Sequence, residues 1–218
     1  QIIVGRSAAA EGREAFLCTA ETGMTGLGEL PGGLYQSEAT GVSADGWRIV
    51  GMANISIAGS NVDVPFQWIS TDQIMRRLHL NVPSVDAVWI HAASANANGQ
   101  VFAGNGWTDW VTVAFRAQLG TEGGAEILPL PYGVEYSTGM IVGGLSADGG
   151  TVVGVAQPEG KVRPYRWTRE GGTELLETLG PPIVSASLQG GAASTVSGDG
   201  KIVYGRQAIG PTAGITSA

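Results

Sequence analysis

The stretch Leu145-Ser146-Ala147-Asp148-Gly149-Gly150-Thr151-Val152-Val153-Gly154 contains a pattern that recurs along the chain and indicates its fold. An Asp-Gly pair here precedes a short apolar run that ends in glycine. Asp-Gly pairs favour tight hairpin turns, because both residues tolerate positive φ. The stretch therefore predicts one strand that ends near Ser146, a turn, and a second strand that follows at once.

This pattern recurs along the chain at nearly constant spacing. The apolar runs end at five glycines, which we call the landmark glycines: Gly5, Gly51, Gly104, Gly154 and Gly205. Six residues before the last four of them lie Asp45, Asn98, Asp148 and Asp199. An aromatic column follows the first four, at Phe16, Phe66, Phe115 and Tyr165. The chain therefore contains about four repeat units and the opening of a fifth.

Each unit reads as four short strands, which predicts an all-β fold. Four antiparallel strands in a repeat of forty to fifty residues are typical of a β-propeller blade. We expect residues 1–209 to form a propeller domain, or an arc of a larger propeller, and residues 210–218 to form a flexible tail. A β-sandwich is the alternative fold, but it would not require the repeat. The segment 71–80 is assigned to a strand because its register matches the fourth strand of other units.

The sequence is compatible with both a closed ring and an open arc. The chain begins with strands two to four of a unit and ends with strands one and two of another. The final first strand, near residues 192–197, would close the ring against the N-terminal strands, but residues 201–205 would then be surplus. Because the chain begins inside a predicted strand, we expect it to be a processed or excised piece of a longer product.

Composition excludes several classes of protein. The 218 residues include 35 glycines and 10 prolines, only 14% are charged, and the net charge is −7. A negative chain of low charge argues against nucleic-acid binding, and no apolar run reaches the roughly 18 residues of a membrane span. Cys18, His79 and His91 lack the spacing of a zinc site. We therefore predict no cofactor, no metal and no catalytic residue.

The repeat resembles the HAF family of probable extracellular repeats. The matching motifs are Ser146-Ala147-Asp148-Gly149, Val152-Val153-Gly154, Tyr165-Arg166-Trp167-Thr168, Gly171-Gly172 and Leu27-Gly28-Glu29-Leu30. The third unit departs from the pattern, since Ala117-Gln118 follows Ala114-Phe115-Arg116. The resemblance covers nearly the whole chain. It implies a bacterial, exported protein, sometimes a passenger of an autotransporter, and it implies no catalytic residue.

Most residues of the repeated columns are interpreted as scaffold. Trp68 and Trp167 share one column with Cys18, which predicts packing roles. The Asp-Gly column predicts turns rather than calcium ligands. Trp107, Asp109 and Trp110 differ, because no other unit has aromatic residues between its second and third strands. An aromatic pair beside an acid is suited to stacking on a sugar or anchoring a protein, so these three residues are the predicted ligand-binding site.

Three functions remain open from the sequence. The first is an exported structural or binding module at the bacterial cell surface, with a glycan or protein partner. The second is a glycan-active enzyme of sialidase or lyase type built on a propeller. The third is a homo-oligomeric unit of a surface array or fibre, in which the edge at residues 2–4 pairs with the edge at residues 201–205 of another copy.

Overall fold

The structure, a computed structural model, describes residues 1–80, 90–107, 111–119, 124–131, 137–158, 161–177 and 191–207. These residues form seventeen β-strands. In chain order they are β1 (Ile2–Ala9), β2 (Gly12–Thr19), β3 (Gly23–Gly26), β4 (Gly33–Val42), β5 (Arg48–Ile57), β6 (Ser60–Ile69), β7 (Ile74–Arg77), β8 (Ile90–Ala95), β9 (Val101–Trp107), β10 (Thr112–Gln118), β11 (Ala125–Ile127), β12 (Ser137–Leu145), β13 (Thr151–Pro158), β14 (Arg163–Thr168), β15 (Gly172–Leu175), β16 (Gly191–Val196) and β17 (Val203–Gln207).

Three repeat units form complete four-stranded antiparallel meanders. They are β4 to β7, β8 to β11 and β12 to β15, and in each of them every strand pairs with the next. The first unit contributes β1 to β3, and the last contributes β16 and β17. The first strands of successive units contact one another, so they lie on the inner side of the arc. Single parallel bridges, such as Arg13 with Gln36, link neighbouring units.

Three of the landmark glycines, Gly51, Gly154 and Gly205, mark positions that have no room for a side chain. A Cβ on Gly154 would lie 1.9 Å from the carbonyl oxygen of Ile141 and 2.9 Å from the ring of Tyr165. A Cβ on Gly51 would likewise lie 2.8 Å from the ring of Phe66. The carbonyl comes close because the inner strand carries a bulge at this level in β4, β8, β12 and β16. Glycine is therefore required where the bulge and the aromatic side chain meet over the second strand.

Four hydrophobic clusters fill the spaces between the five successive units. Phe66, Phe115 and Tyr165 are each fully buried in one of these clusters. Burying such a side chain contributes about 1.5–3 kcal/mol, so the aromatic column holds the units together. Apolar side chains are exposed on the two end faces of the arc. Ile3 of the first unit is 57% exposed, and Tyr204 of the last unit is 55% exposed. Ile3 is the equivalent of Ile49, which is fully buried.

A repeated hydrogen-bond network forms each Ser-x-Asp-Gly turn. Ser146 Oγ donates to Asp148 Oδ1 at 2.5 Å, and the same carboxylate oxygen accepts from the Gly150 amide at 2.8 Å. The Thr151 amide donates to Ser146 Oγ at 2.9 Å. The turns around Asp45 and Asp199 repeat these bonds. The prediction that the Asp-Gly column forms turns is confirmed.

Backbone bonds also connect these turns from one unit to the next. The Ala44 amide donates to the Ala97 carbonyl at 2.8 Å, the Ala97 amide to the Ala147 carbonyl at 3.0 Å, and the Ala147 amide to the Gly198 carbonyl at 2.9 Å. Each link joins equivalent positions in neighbouring units. The turn end of the arc is thus held by a line of bonds that does not depend on side-chain identity.

The structure confirms the all-β class, since the described residues contain no helix, and β7 confirms the strand assigned within residues 71–80. Trp68 and Trp167 are buried as predicted, whereas Cys18 is only half-buried. β16 and β17 form a separate two-stranded sheet, and the sheets formed by the described strands do not close into a ring. No membrane-spanning helix was found in the described residues.

Candidate functional site

The meander gives the arc two different ends. The Ser-x-Asp-Gly turns lie at one end, which we call the turn end, while the hairpins between second and third strands lie at the other, which we call the loop end. The turn end repeats from unit to unit in sequence and in hydrogen bonding. The loop end does not repeat. Because the repeated residues hold the scaffold, side chains at the loop end are available for recognition.

A polar cleft of about 180 Å³ opens between the first and second units toward the loop end. We call it the Arg13 cleft. Strands β1, β2, β4, β5 and β6 supply its polar lining, which comprises Arg6, Arg13, Gln36, Ser37, Glu38, Asn54 and Asp63. Five strands from two units therefore combine to form one small site.

Most polar groups in the Arg13 cleft have partners inside it. Arg6 Nη1 lies 2.7 Å from Glu38 Oε2 in an ion pair, and Asn54 Nδ2 donates to Asp63 Oδ1 at 2.9 Å. Arg13 Nη2 donates to the amide oxygen of Gln36 at 3.3 Å, and no carboxylate within the described ranges forms an ion pair with Arg13. A guanidinium with spare donors is suited to binding a carboxylate or another planar acceptor.

A second cavity, of about 150 Å³, lies on the other side of Arg13. We call it the Glu29 pocket, and Arg13, Glu14, Glu29 and Tyr35 line it. Glu14 Oε1 accepts a hydrogen bond from the Gly28 amide at 2.9 Å, which fastens the connection between the first two units to β2. Arg13 is therefore shared by two adjacent cavities of different character.

The carboxyl group of Glu29 is the most perturbed acid of this pocket. Its Oε2 is buried and has no hydrogen-bond partner in the part of the chain that the structure covers. Burial and the nearby charge of Glu14 raise the pKa of Glu29. Tyr35, on the same wall, has a φ of 54°, a left-handed conformation that non-glycine residues rarely adopt. Strained backbone of this kind occurs more often at functional sites.

The predicted ligand-binding residues lie in a different unit. Trp107 is the last residue of β9, pairs with Thr112 and is 43% exposed at the loop end. It does not line the Arg13 cleft or the Glu29 pocket. Asp109 and Trp110 lie outside the described residues. The site predicted from Trp107, Asp109 and Trp110 therefore stays a prediction.

The acids of the turn column serve the scaffold. Hydrogen bonds from Ser146 and then from the Gly150 amide lower the pKa of Asp148, and serine hydroxyls do the same for Asp45 and Asp199. Across the residues that can be described, no three His, Cys, Asp or Glu side chains cluster to hold a metal.

Sequence reasoning missed Arg13, Glu14 and Glu29. A signal was present, because Arg13 shares its repeat column with Asp63, Thr112 and Val162. The criterion that singled out Trp107, departure from the other units, would have found Arg13 as well. That several such residues meet in one cleft depends on how two units pack, which the sequence pattern does not specify.

Solved structures of similar shape are β-propeller proteins of low sequence identity. TolB from Acinetobacter baumannii matches with a TM-score of 0.56 and 17% identity, over 81% of this chain and 43% of that one. A putative TolB from Agrobacterium tumefaciens matches with a TM-score of 0.61 and 15% identity, over 95% of this chain and 71% of that one. This chain thus spans less than half the length of the first. These similarities support the propeller fold.

Neither a known protein-family profile nor a curated protein sequence matches this chain.

Proposed function

We propose that this chain is an exported repeat domain that acts as a binding module at the bacterial cell surface, with the Arg13 cleft as its binding site. The observation that carries the proposal is the guanidinium of Arg13, which lies between two cavities and has no ion-pair partner among the described residues. The rest of the scaffold repeats, whereas this site belongs to one pair of units. The resemblance to extracellular HAF repeats supports the location.

The chemistry of the cleft indicates the class of ligand. A cavity of about 180 Å³ holds one sugar ring or one side chain, which is less than the space that a drug-sized ligand occupies. Arg13 supplies charge-assisted donors, while Glu38, Asp63 and Gln36 supply acceptors for hydroxyl or amide groups. The ligand that fits is a carboxylate-bearing group, presented either by an acidic glycan or by an acidic segment of a protein.

A binding screen with matched arginine variants tests this proposal. The wild-type chain is screened against an array of acidic and neutral glycans and against acidic peptides. We expect Arg13→Ala to weaken binding of the acidic ligands at least about tenfold, because a charge-assisted bidentate contact contributes about 1.5–3 kcal/mol. Arg169→Ala is the control, since its exposed side chain lies in a turn-end loop of another unit. Equal effects of the two variants would contradict the proposed site.

Trp107, together with Asp109 and Trp110, is proposed as a second contact for the same ligand class. Its exposed indole lies at the loop end, as does the Arg13 cleft. Trp107→Ala combined with Trp110→Ala is expected to weaken binding of a longer glycan and to leave binding of a monosaccharide unchanged. If the double variant binds every ligand like the wild type, the aromatic contact is absent.

A glycan-active enzyme is the second candidate, and the raised pKa of Glu29 favours it. A carboxyl group with a raised pKa is a better general acid than an ordinary glutamate, and glycosidases pair such a group with a second carboxylate. Glu14 is the neighbouring carboxylate here. The wild type and Glu29→Gln should be assayed on a broad panel of glycosides and uronides. Turnover that Glu29→Gln abolishes would support the enzyme, and no turnover on the whole panel would reject it.

The proposed location is tested by cell fractionation. Antibody against this chain should label the surface of intact bacteria that produce the natural protein, and protease added outside the cells should remove the label. Protection from protease in intact cells would contradict a surface location.

A further inference from the structure

Arg13 lies where its guanidinium has two cavities within reach. It lines the Arg13 cleft on one side and the Glu29 pocket on the other. The residue is exposed, and its bond to the amide oxygen of Gln36, at 3.3 Å, is longer than an ordinary N–H···O hydrogen bond. The backbone of β2 is fixed by its pairing with β1. The guanidinium can therefore change partners by rotation of the side chain alone.

The acids of the Arg13 cleft already have partners. Glu38 forms an ion pair with Arg6. Asp63 accepts a hydrogen bond from Asn54. On this side, the carboxylate for which Arg13 has spare donors is therefore that of a ligand.

The Glu29 pocket contains a carboxylate oxygen without a partner. Glu29 Oε2 is buried and accepts no hydrogen bond from the described residues. The Tyr35 backbone donates a hydrogen bond to this carboxylate, and Gly33 leaves room for it, since a Cβ there would lie 2.8 Å from Oε2. Among the described residues that line the pocket, Arg13 is the one cation. A buried carboxylate oxygen and a guanidinium with spare donors thus share one small cavity.

We propose that Glu29 competes with acidic ligands for Arg13: when Glu29 is ionised, the guanidinium turns into the Glu29 pocket and pairs with Oε2, so the Arg13 cleft loses the cation that holds the ligand. The structure shows the other arrangement, in which Arg13 is bonded to Gln36. Protonation of Glu29 removes the competing charge and favours this arrangement. Ligand binding and proton binding are then linked, and this inference rests on the Arg13 cleft being the binding site.

The groups around Glu29 set the pH range in which the competition acts. Burial, and then the charge of Glu14 on β2, raise the pKa of Glu29 above its ordinary value of 4.5. The phenol of Tyr35, on β4, is hydrogen-bonded to Glu11 of the β1–β2 turn. Arg13 is the charged side chain of the pocket that favours the ionised carboxylate. Affinity for acidic ligands should therefore be highest below the folded pKa of Glu29 and should fall as the pH rises through it.

An NMR titration of the ligand-free protein tests the contact itself. The side-chain carboxyl carbon of Glu29 is followed between about pH 3 and pH 8 in the wild type and in Arg13→Ala. Pairing with a partly exposed guanidinium shifts an equilibrium by about two- to fivefold, so the pKa of Glu29 should be about 0.3–0.7 pH unit higher in Arg13→Ala. Arg169→Ala is the control and should match the wild type. An equal pKa in the wild type and Arg13→Ala would overturn the proposal, whatever the cleft binds.

Formate, the simplest carboxylate, is the probe for competition. Its binding is followed through the Cζ signal of Arg13 at constant ionic strength, at about pH 4.5 and pH 7.5. In the wild type we expect about two- to fivefold weaker binding at the higher pH, whereas Glu29→Gln should bind formate equally at both. Glu21→Gln removes a charge from an exposed turn of the same unit and should behave like the wild type.

The two measurements separate this inference from the proposed function. Wild-type binding of formate that does not weaken as the pH rises would overturn the competition and leave the binding site in place. A Glu29 pKa that depends on Arg13, without any binding of formate, would keep the contact but reject its regulatory role together with the proposed site.

Discussion

Replacing Tyr165 with phenylalanine is expected to stabilise this protein. The Tyr165 ring is fully buried in the cluster between the third and fourth units. Its hydroxyl oxygen is buried too, and no hydrogen-bond partner for it is found within the described chain. Burial raises the pKa of this phenol further above its ordinary value, so the hydroxyl is neutral in the folded protein. The equivalent residues of the preceding units, Phe66 and Phe115, have no hydroxyl.

The magnitude follows from the cost of burying an unpaired hydroxyl. Mutational data put that cost at about 1–3 kcal/mol. Tyr165→Phe keeps the ring, its contact with Gly154 and nearly all of the buried apolar area. The free energy of unfolding should therefore rise by about 1 kcal/mol or slightly more, since a small void remains where the oxygen was.

Urea unfolding followed by tryptophan fluorescence measures the effect. Tyr165→Phe should move the midpoint to higher urea with an unchanged slope. The reciprocal variant Phe66→Tyr should lower stability by about 1 kcal/mol or more, because it adds an unpaired hydroxyl to a fully buried ring. Lower stability of Tyr165→Phe would refute the reasoning, because it would show that the phenol has a partner in the folded state.

Three further predictions concern the turn end. The pKa of Asp148 is lowered in the folded state. The ionised Asp148 carboxylate therefore stabilises the fold fully above its ordinary pKa of 3.8, and this stabilisation is lost as the pH falls through the folded pKa. Between about pH 5 and pH 2.5 the wild type should thus lose more stability in urea titrations than Asp148→Asn. Gly149→Ala should cost more stability than Gly172→Ala in the same assay: both have positive φ, but only a Cβ at Gly149 meets a neighbour, Val101 at 2.9 Å. A similar cost for both would mean that backbone strain of about 1–2 kcal/mol acts alone. Arg116→Met should lower stability by about 1.5–3 kcal/mol, because the buried guanidinium donates to the Gly149 carbonyl at 2.7 Å; an unchanged midpoint would show that this bond contributes nothing.

Much of the scaffold was predictable because each unit meets the same physical demands. The landmark glycine is required by a close carbonyl and an aromatic ring, and the Ser-x-Asp-Gly turn is fixed by short-range bonds from Ser146 and Asp148. Such demands act on neighbouring residues or adjacent strands, so they appear in the sequence at constant spacing.

The candidate site was not predictable from the same columns. The Arg13 cleft joins side chains from five strands of two units. Glu29 is partly buried where the connection before β4 is bonded back to Glu14 through the Gly28 amide. These features arise from packing between units, for which a single sequence has no periodic signal.

Repetition within one chain separates the residues that hold this fold from those whose identity varies from unit to unit. Val152, Tyr165 and Asp148 have equivalents in most units, and their burial and bonds explain why. Arg13 and Trp107 have no such equivalents at the corresponding positions of the other units. Stability assays should therefore respond strongly to changes in the first group and weakly to changes in the second, whereas binding assays should show the reverse. If Arg13→Ala lowered the unfolding midpoint as much as a substitution in the aromatic column does, the cleft would belong to the scaffold, and the proposed binding site would have to be abandoned.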